Sequence, residues 1–299
     1  MGSANVFTYS YHILGRYISP RFKSRKIDDI FLIVCSYDIK HVAKCVSSIR
    51  RKMGNEAVIS VLVNNFTDPD IRAAHRHYGI TELANSTSCN IDFVFYNALN
   101  TSTALIRSIH KERVYGMLDA SGCSLDKSCF TYYIDPDMEF VDLDVLSKSI
   151  RKEGLKVYGH RGGYFDFKST DIKPYMFYNH KDSIVSGNKV STVAGLFIVS
   201  SKVDKNVDTT TDVPLFWFDD NDRAYRFREK GYNIGLIPYS HVNHFSPHAA
   251  SSNHKELYDD KEFIKGRQWL KKKWFDSGKI KYIVPDPKDD QFKREGKDI

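Results

Sequence analysis

The sequence predicts an α/β protein: a doubly wound, mostly parallel sheet with helices on both faces. Three observations predict it. Short, wholly apolar runs recur through the first half, as expected of strands buried on both faces. Segments with apolar residues at helical spacing alternate with them over short connections, the pattern of strand–crossover–strand units. Glycines and an Asp-Pro pair fall at the boundaries, where helices start and stop.

The run IFLIVCS (30–36) is the first strand. In the segment DIKHVAKCVSSIRRKM that follows, Ile39, Val42, Ala43, Val46, Ile49 and Met53 share one helical face, and Gly54 is placed to end the helix. AVISVLVN (57–64) is the second strand. In residues 65–79, Asp68 reads as N-cap, Pro69 as the first helical residue and Gly79 as the exit. IDFVFY (91–96) is the third strand and TSTALIRSIHKER (101–113) the third helix. TYYIDPDMEF (131–140) ends a fourth strand in Asp135 and Asp137. Asp142 then caps a helix with Leu143, Val145, Leu146 and Ile150 facing inward, stopped by Gly154.

The second half is less regular. Residues 161–182 read as loop-rich, VAGLFIV (193–199) as a strand, residues 214–231 as the entry and body of a helix ended by Gly231, and NIGLIP (233–238) as a strand. The tail KEFIKGRQWLKKKW (261–274) is helical, and the chain after about Pro285 is expected to be disordered. The expected organisation is an N-terminal extension (1–27), a first half (28–155), a second half carrying the C-terminal helix (156–284) and a tail (285–299).

With 299 residues, 41% hydrophobic and 13% aromatic, the chain can bury a sizeable core, which excludes a disordered protein. The net charge of +7 suits an anionic ligand, nucleic acid or an acidic membrane surface, and equally a solvated basic surface. The five cysteines match no zinc spacing; Cys35 and Cys45 fall at core positions, so reduced thiols in a cytosolic compartment are expected. No apolar run reaches membrane-span length, and the N-terminus lacks the order of a signal peptide. The expectation is a soluble cytoplasmic protein without a transmembrane segment, with room for peripheral association with an acidic membrane.

Three clusters carry chemistry. Asp135 and Asp137, one residue apart at a strand end, can both reach one hard divalent cation, Mg²⁺ or Mn²⁺; a turn of solvated aspartates accounts for the same residues. In open parallel sheets ligands bind outside the carboxyl ends of the strands, which is where this pair falls. FDDNDRAYR (218–226) places Asp219, Asp220 and Asp222 at a helix start, where the dipole favours acids as ordinary capping. Three are more than a cap needs: Arg226 is spaced to pair with Asp222, leaving Asp219 and Asp220 at the helix mouth, where a carboxylate can serve as general base. HVNHFSPH (241–248) follows a strand, and imidazole is a reasonable further ligand for Mn²⁺ beside two carboxylates.

In this order the clusters resemble the GT-A-fold glycosyltransferases, most closely family 2, over roughly residues 28–245. IVCSYD is similar to the opening strand and turn, VNNFTD to the second-strand signature, IDPDM to the Asp-x-Asp motif, FDDNDRAYRFREKGYNIGLIP to the acidic-pair helix and VNHF to the late histidine. The resemblance implies a GT-A-type fold and sugar transfer from a nucleotide-diphosphate donor to an acceptor hydroxyl, with inversion. It implies Asp135 and Asp137 at the metal and donor diphosphate, Ser36 and Asn64 near the nucleobase or ribose, Asp220 as general base with Asp219 beside it, and His244 near the metal or phosphates with His241 as competitor. Two positions depart from the family: Asn64 stands where an acid is usual, and Asp219 where Glu is usual. The acceptor is a glycan, a lipid-linked sugar or nucleic acid. Lysines interleaved with Trp269 and Trp274 fit either an amphipathic closing helix, its aromatics packed on the sheet and its lysines in water, or an anionic acceptor surface contacting membrane or DNA. Two rivals stand beside this: a nucleotidyltransferase, which would need a glycine-rich loop after the first strand, and a non-catalytic glycan- or nucleic-acid-binding protein on a GT-A-like scaffold.

Overall fold

The computed structural model describes residues 8–9, 26–35, 41–51, 53, 57–64, 91–96, 103–164, 175–186, 192–208, 218–245 and 260–280. The strands are β1 (Thr8–Tyr9), β2 (Lys26–Cys35), β3 (Val58–Asn64), β4 (Ile91–Tyr96), β5 (Ser124–Ile134), β6 (Met138–Phe140), β7 (Val157–Tyr164), β8 (Tyr175–Tyr178), β9 (Val185–Ser186), β10 (Thr192–Ser200), β11 (Ile234–Leu236) and β12 (Val242–His244). The α-helices are α1 (Val42–Arg50), α2 (Thr103–Ala120), α3 (Leu143–Glu153), a single turn α4 (Ser201–Asp204), α5 (Asp219–Glu229) and α6 (Asp260–Leu270), the last continued by a π-helical segment, Lys271–Asp276.

The main sheet runs β1-β4-β3-β2-β5-β10-β7-β11-β9, with β8 on β7. β4, β3, β2 and β5 are mutually parallel. β10 lies antiparallel between β5 and β7, so β7 and its parallel neighbour β11 point the same way as β5. The expected doubly wound, mostly parallel arrangement is therefore present, with β10 reversed in its middle. The sheet crosses the position near residue 155 that divides the two halves, because β10 pairs with β5.

Alternation along β2 explains the two layers of helices, since successive side chains point to opposite faces. Phe31, Ile33 and Cys35 join Val42, Cys45, Val46 and Ile49 of α1 and Leu143, Leu146 and Ile150 of α3 in one buried cluster. Ile30 and Leu32 join Val114 and Leu118 of α2 and Ala224 and Phe227 of α5 in the other. Cys35 and Cys45 are buried free thiols, as their positions predicted. Asp142 caps α3 by accepting from the Val145 amide at 3.2 Å, and Gly154 ends it at φ 76°.

Three expectations need correction. Val145 is 44% exposed, because it sits beside the buried stripe of α3 rather than in it. Residues 161–182 are not simply loop: Arg161–Tyr164 of β7 pair antiparallel with Tyr175–Tyr178 of β8. The C-terminal helix does not pack its aromatics on the sheet. Phe263, Leu270 and Trp274 bury themselves against Phe218 and Tyr225 at α5. The predicted helix at 65–79, Gly54, Cys89 and the tail beyond Pro285 lie outside the described residues.

Asp222 fastens that C-terminal unit. Its fully buried carboxylate accepts from Arg226 Nε at 2.8 Å, as the spacing predicted, and from Trp274 Nε1 at 2.7 Å, and it pairs with Lys273 Nζ at 2.9 Å.

Candidate active site

The site forms where β5 ends. The Met138 amide donates to the Asp135 carbonyl at 3.2 Å, closing the turn through Pro136, and the Phe245 amide donates to the Asp137 carbonyl at 2.9 Å. β6 then pairs antiparallel with β12, setting His244 opposite Met138. This pinning brings His244 Nε2 to 3.3 Å from Asp137 Oδ2.

The second acidic pair arrives from α5. Phe218, just before it, has φ 74°, the one non-glycine residue with positive φ among the described residues. A left-handed backbone at such a residue costs on the order of 1–3 kcal/mol and persists only where the surroundings enforce it. Here the Phe218 ring is buried in edge contact with Phe263, centroids 5.8 Å apart, and its carbonyl accepts from the Asp222 amide at 2.8 Å. The bend delivers Asp219 and Asp220 as the first two helical residues. Gly195, at φ 73° in the β10 bulge, donates its amide to Asp220 Oδ2 at 3.1 Å.

Arg107 of α2 joins the two pairs. Its Nη1 lies 2.5 Å from Asp219 Oδ2 and 2.6 Å from Asp220 Oδ1, and its Nη2 lies 2.6 Å from Asp135 Oδ1. Its side chain is 7% exposed. The partner of the strand-end carboxylate is thus a guanidinium shared with the helix acids.

Sequence reasoning passed over Arg107. A signal was available: α2 has no acid in its first turn, yet it carries a cation in its second turn amid a buried stripe that includes Ala104, Ile106 and His110. A cation near a helix N-terminus opposes the dipole, so its charge needs an acidic partner from elsewhere in the chain.

The electrostatics follow from this packing. Burial pushes the Asp220 carboxyl up to about 7, Arg107 opposing and the charges of Asp219 and Asp135 adding to the rise. Burial likewise raises Asp135, against Arg107 and with Asp137. For His244 burial works against the charged form, but the hydrogen bond to Asp137 and the charges of Asp137 and Asp135 carry its pKa above the ordinary histidine value. Burial, and then the neighbouring His244, lower His160 to about 3, so it is a neutral ring; it stacks on Tyr239 with centroids 5.6 Å apart.

Asp135, Asp137, His244, Asp219 and Asp220 therefore come together. His241, in the 3₁₀ turn Tyr239–His241, lies instead within the influence of Asp142 and Asp182. Asn64 ends β3 opposite Tyr96. Ser36 lies outside the described residues. Beside this site a small cleft is lined by Arg107, Lys111, Tyr133, Asp204, Arg223 and Phe227, among others.

Among the described residues no group of three or more His, Cys, Asp or Glu side chains is placed to hold a metal ion. Two carboxylates beside an imidazole, whose Nδ1 is buried without a hydrogen-bond partner, are nonetheless a donor set that suits a divalent cation.

Neither a protein-family model nor a curated protein sequence matches the chain. Among solved structures, the chain is similar to the mannosyltransferase PcManGT from Pyrobaculum calidifontis in complex with GDP-Man and Mn²⁺. Identity is 11% and the TM-score 0.49, over 84% of this chain and 71% of that one. It is also similar to residues 1–349 of S. aureus TarS, at 11% identity and TM-score 0.49 over 85% of this chain and 76% of that one. Against a longer TarS structure the identity is 9% and the TM-score 0.47, and the chain spans only 35% of that protein. Among the described residues no helix is long and apolar enough to cross a membrane.

Proposed function

We propose that this chain is a metal-dependent glycosyltransferase that moves a sugar from a nucleotide-diphosphate donor to an acceptor hydroxyl, with inversion. One observation carries this: Asp135 at a strand end and Asp219 and Asp220 at a helix start lie around a single guanidinium. The acid proposed for the metal and the acid pair proposed to bear the base thus share one cation, beside the carboxyl end of a parallel strand, where such sheets bind ligands.

In this mechanism Asp135 and Asp137 hold a divalent cation, Mn²⁺ or Mg²⁺, with His244 beside them. When bound, such a cation neutralises charge developing on a departing diphosphate. Asp220 accepts the acceptor hydroxyl's proton as the oxygen attacks. A carboxyl held near pH 7 suits that task, since a base is most effective when its pKa is close to the working pH. The Gly195 amide holds one oxygen of Asp220 and Asp219 shares its cation, so the base keeps its orientation. Ser36 and Asn64 take the nucleoside side.

The acceptor is a glycan, a lipid-linked sugar or nucleic acid. The C-terminal lysines give the nucleic-acid option limited support: Lys273 is engaged with Asp222, and Lys271 with Asp276 at 2.6 Å. Lys261, Lys265 and Lys272 are exposed.

Because Arg107 already compensates acids of both clusters, a second function remains consistent with the site: a GT-A-like scaffold that binds a glycan or nucleic acid without turnover. A thermal-shift screen of nucleotide sugars with and without Mn²⁺, followed by donor hydrolysis without acceptor, separates the two. A Mn²⁺-dependent rise in melting temperature with one donor class, and release of free sugar, are expected of the enzyme. Stabilisation by a glycan or nucleic acid with no sugar release would sustain the binder and overturn the transferase.

A further inference from the structure

Arg107 is bound to carboxylates from both acidic pairs at once, and that geometry conflicts with full occupancy of the proposed metal site. Three carboxylates, Asp135, Asp219 and Asp220, are compensated by Arg107, and a fourth, Asp137, is paired with His244. Asp135 Oδ1 accepts from Arg107 Nη2 at 2.6 Å, so a cation drawing on the Asp135 carboxylate competes with the guanidinium for the same group. A guanidinium and a divalent cation on one carboxylate also repel each other strongly in a site this enclosed. Arg107 need not leave to make room. Its Nη1 remains anchored by Asp219 and Asp220 at 2.5 and 2.6 Å, so releasing Nη2 is enough.

We propose that Arg107 is an internal counter-ion that occupies Asp135 until a divalent cation replaces it there, so that Arg107 sets the metal affinity of the site. The inference rests on Asp135 and Asp137 being the metal ligands of the proposed transferase. Arg107 is then a positioning residue. It holds the acid-rich site together before metal loading, and on release it stays with the acid pair that carries the proposed base, linking metal occupancy to the acceptor side. The guanidinium in place also explains how these carboxylates avoid the cost of buried, uncompensated charge in the metal-free protein.

The test is direct Mn²⁺ binding to the full chain, followed by electron paramagnetic resonance of free Mn²⁺, for the natural protein, Arg107→Met, Arg107→Lys and Asp137→Asn. Removing the competitor should tighten Mn²⁺ binding about tenfold or more in Arg107→Met. Arg107→Lys, which cannot span three carboxylates with one compact ammonium, should tighten it by a smaller factor and provides the measurement if Arg107→Met does not fold. Asp137→Asn should weaken it. If the natural protein binds Mn²⁺, Asp137→Asn weakens it, and neither Arg107 variant binds more tightly, the counter-ion role is overturned while the metal site stands. If Asp137→Asn binds as the natural protein does, or the natural protein binds no Mn²⁺, the metal assignment fails and this inference with it.

Discussion

Replacing Asp222 by alanine separates the acid that holds the fold from the acids beside it that form the site. The Asp222 carboxylate is fully buried and meets Arg226 Nε, Trp274 Nε1 and Lys273 Nζ at 2.8, 2.7 and 2.9 Å. A hydrogen bond to a charged group contributes about 1.5–3 kcal/mol, so these three together set a ceiling of roughly 5–9 kcal/mol. The realised loss is smaller because the Lys273 and Arg226 side chains are 17% and 20% exposed and can rehydrate. The Trp274 ring, 1% exposed, cannot. A loss of about 3–5 kcal/mol, typical of breaking a buried ion pair, is therefore expected. At the lower sensitivity of large domains, roughly 2 °C per kcal/mol, the melting temperature falls by about 6–10 °C. Differential scanning calorimetry measures it, and limited proteolysis should cut first in α6. A fall under about 2 °C would show that Asp222 does not anchor the C-terminal unit.

The site acids should behave in the opposite way. Asp220→Asn should leave the melting temperature nearly unchanged and preserve Mn²⁺-dependent nucleotide stabilisation while lowering sugar transfer by about 10²–10⁴-fold; near-normal turnover would remove Asp220 from the mechanism. Since Asp220 acts only when ionised and its pKa is pushed up to about 7, transfer at saturating donor should rise with pH through about 7 and level off above it, and a rate flat between pH 5.5 and 8 would exclude it as the base. Asp29 gives a separate stability test. Burial, opposed by Arg151 at 2.9 Å, raises its pKa to about 7, above the unfolded value near 4. The folded state then binds the proton more tightly, so this contribution is fully present below about pH 4 and is lost as pH rises through about 7. The natural protein should accordingly lose stability relative to Asp29→Asn over that window, and parallel melting curves of the two against pH would contradict it.

Much of the parallel half was legible because its strands carry their information locally. IFLIVCS and IDFVFY announce buried strands, and the latter's limits match β4, Ile91–Tyr96. Asp142 and Gly154 bound α3 through a cap and a left-handed turn that depend only on neighbours in sequence. The reversal at β10 was not legible, because an apolar run such as VAGLFIV reads the same in either direction and its orientation is set by pairing with β5 and β7. The two acidic pairs were visible as residues, and Asp222 separated correctly through its spacing to Arg226. What joins the pairs was hidden, since Arg107 precedes Asp219 by 112 positions and no local rule connects them. Val145 went wrong for a related reason: helical spacing tolerates a neighbour of the buried stripe, and only packing decides which residue is inside.

The pairing of Met138–Phe140 with Val242–His244 has a consequence for how the protein is made. The loop bearing Asp135 and Asp137 emerges from the ribosome long before the segment that clamps it, and loop closure over such a span precedes any reward from the contacts it makes. If Asp135 and Asp137 hold a cation as proposed, a growing chain should stay unable to retain Mn²⁺ until about residue 245 is available, and partial products released earlier would carry the aspartates unclamped.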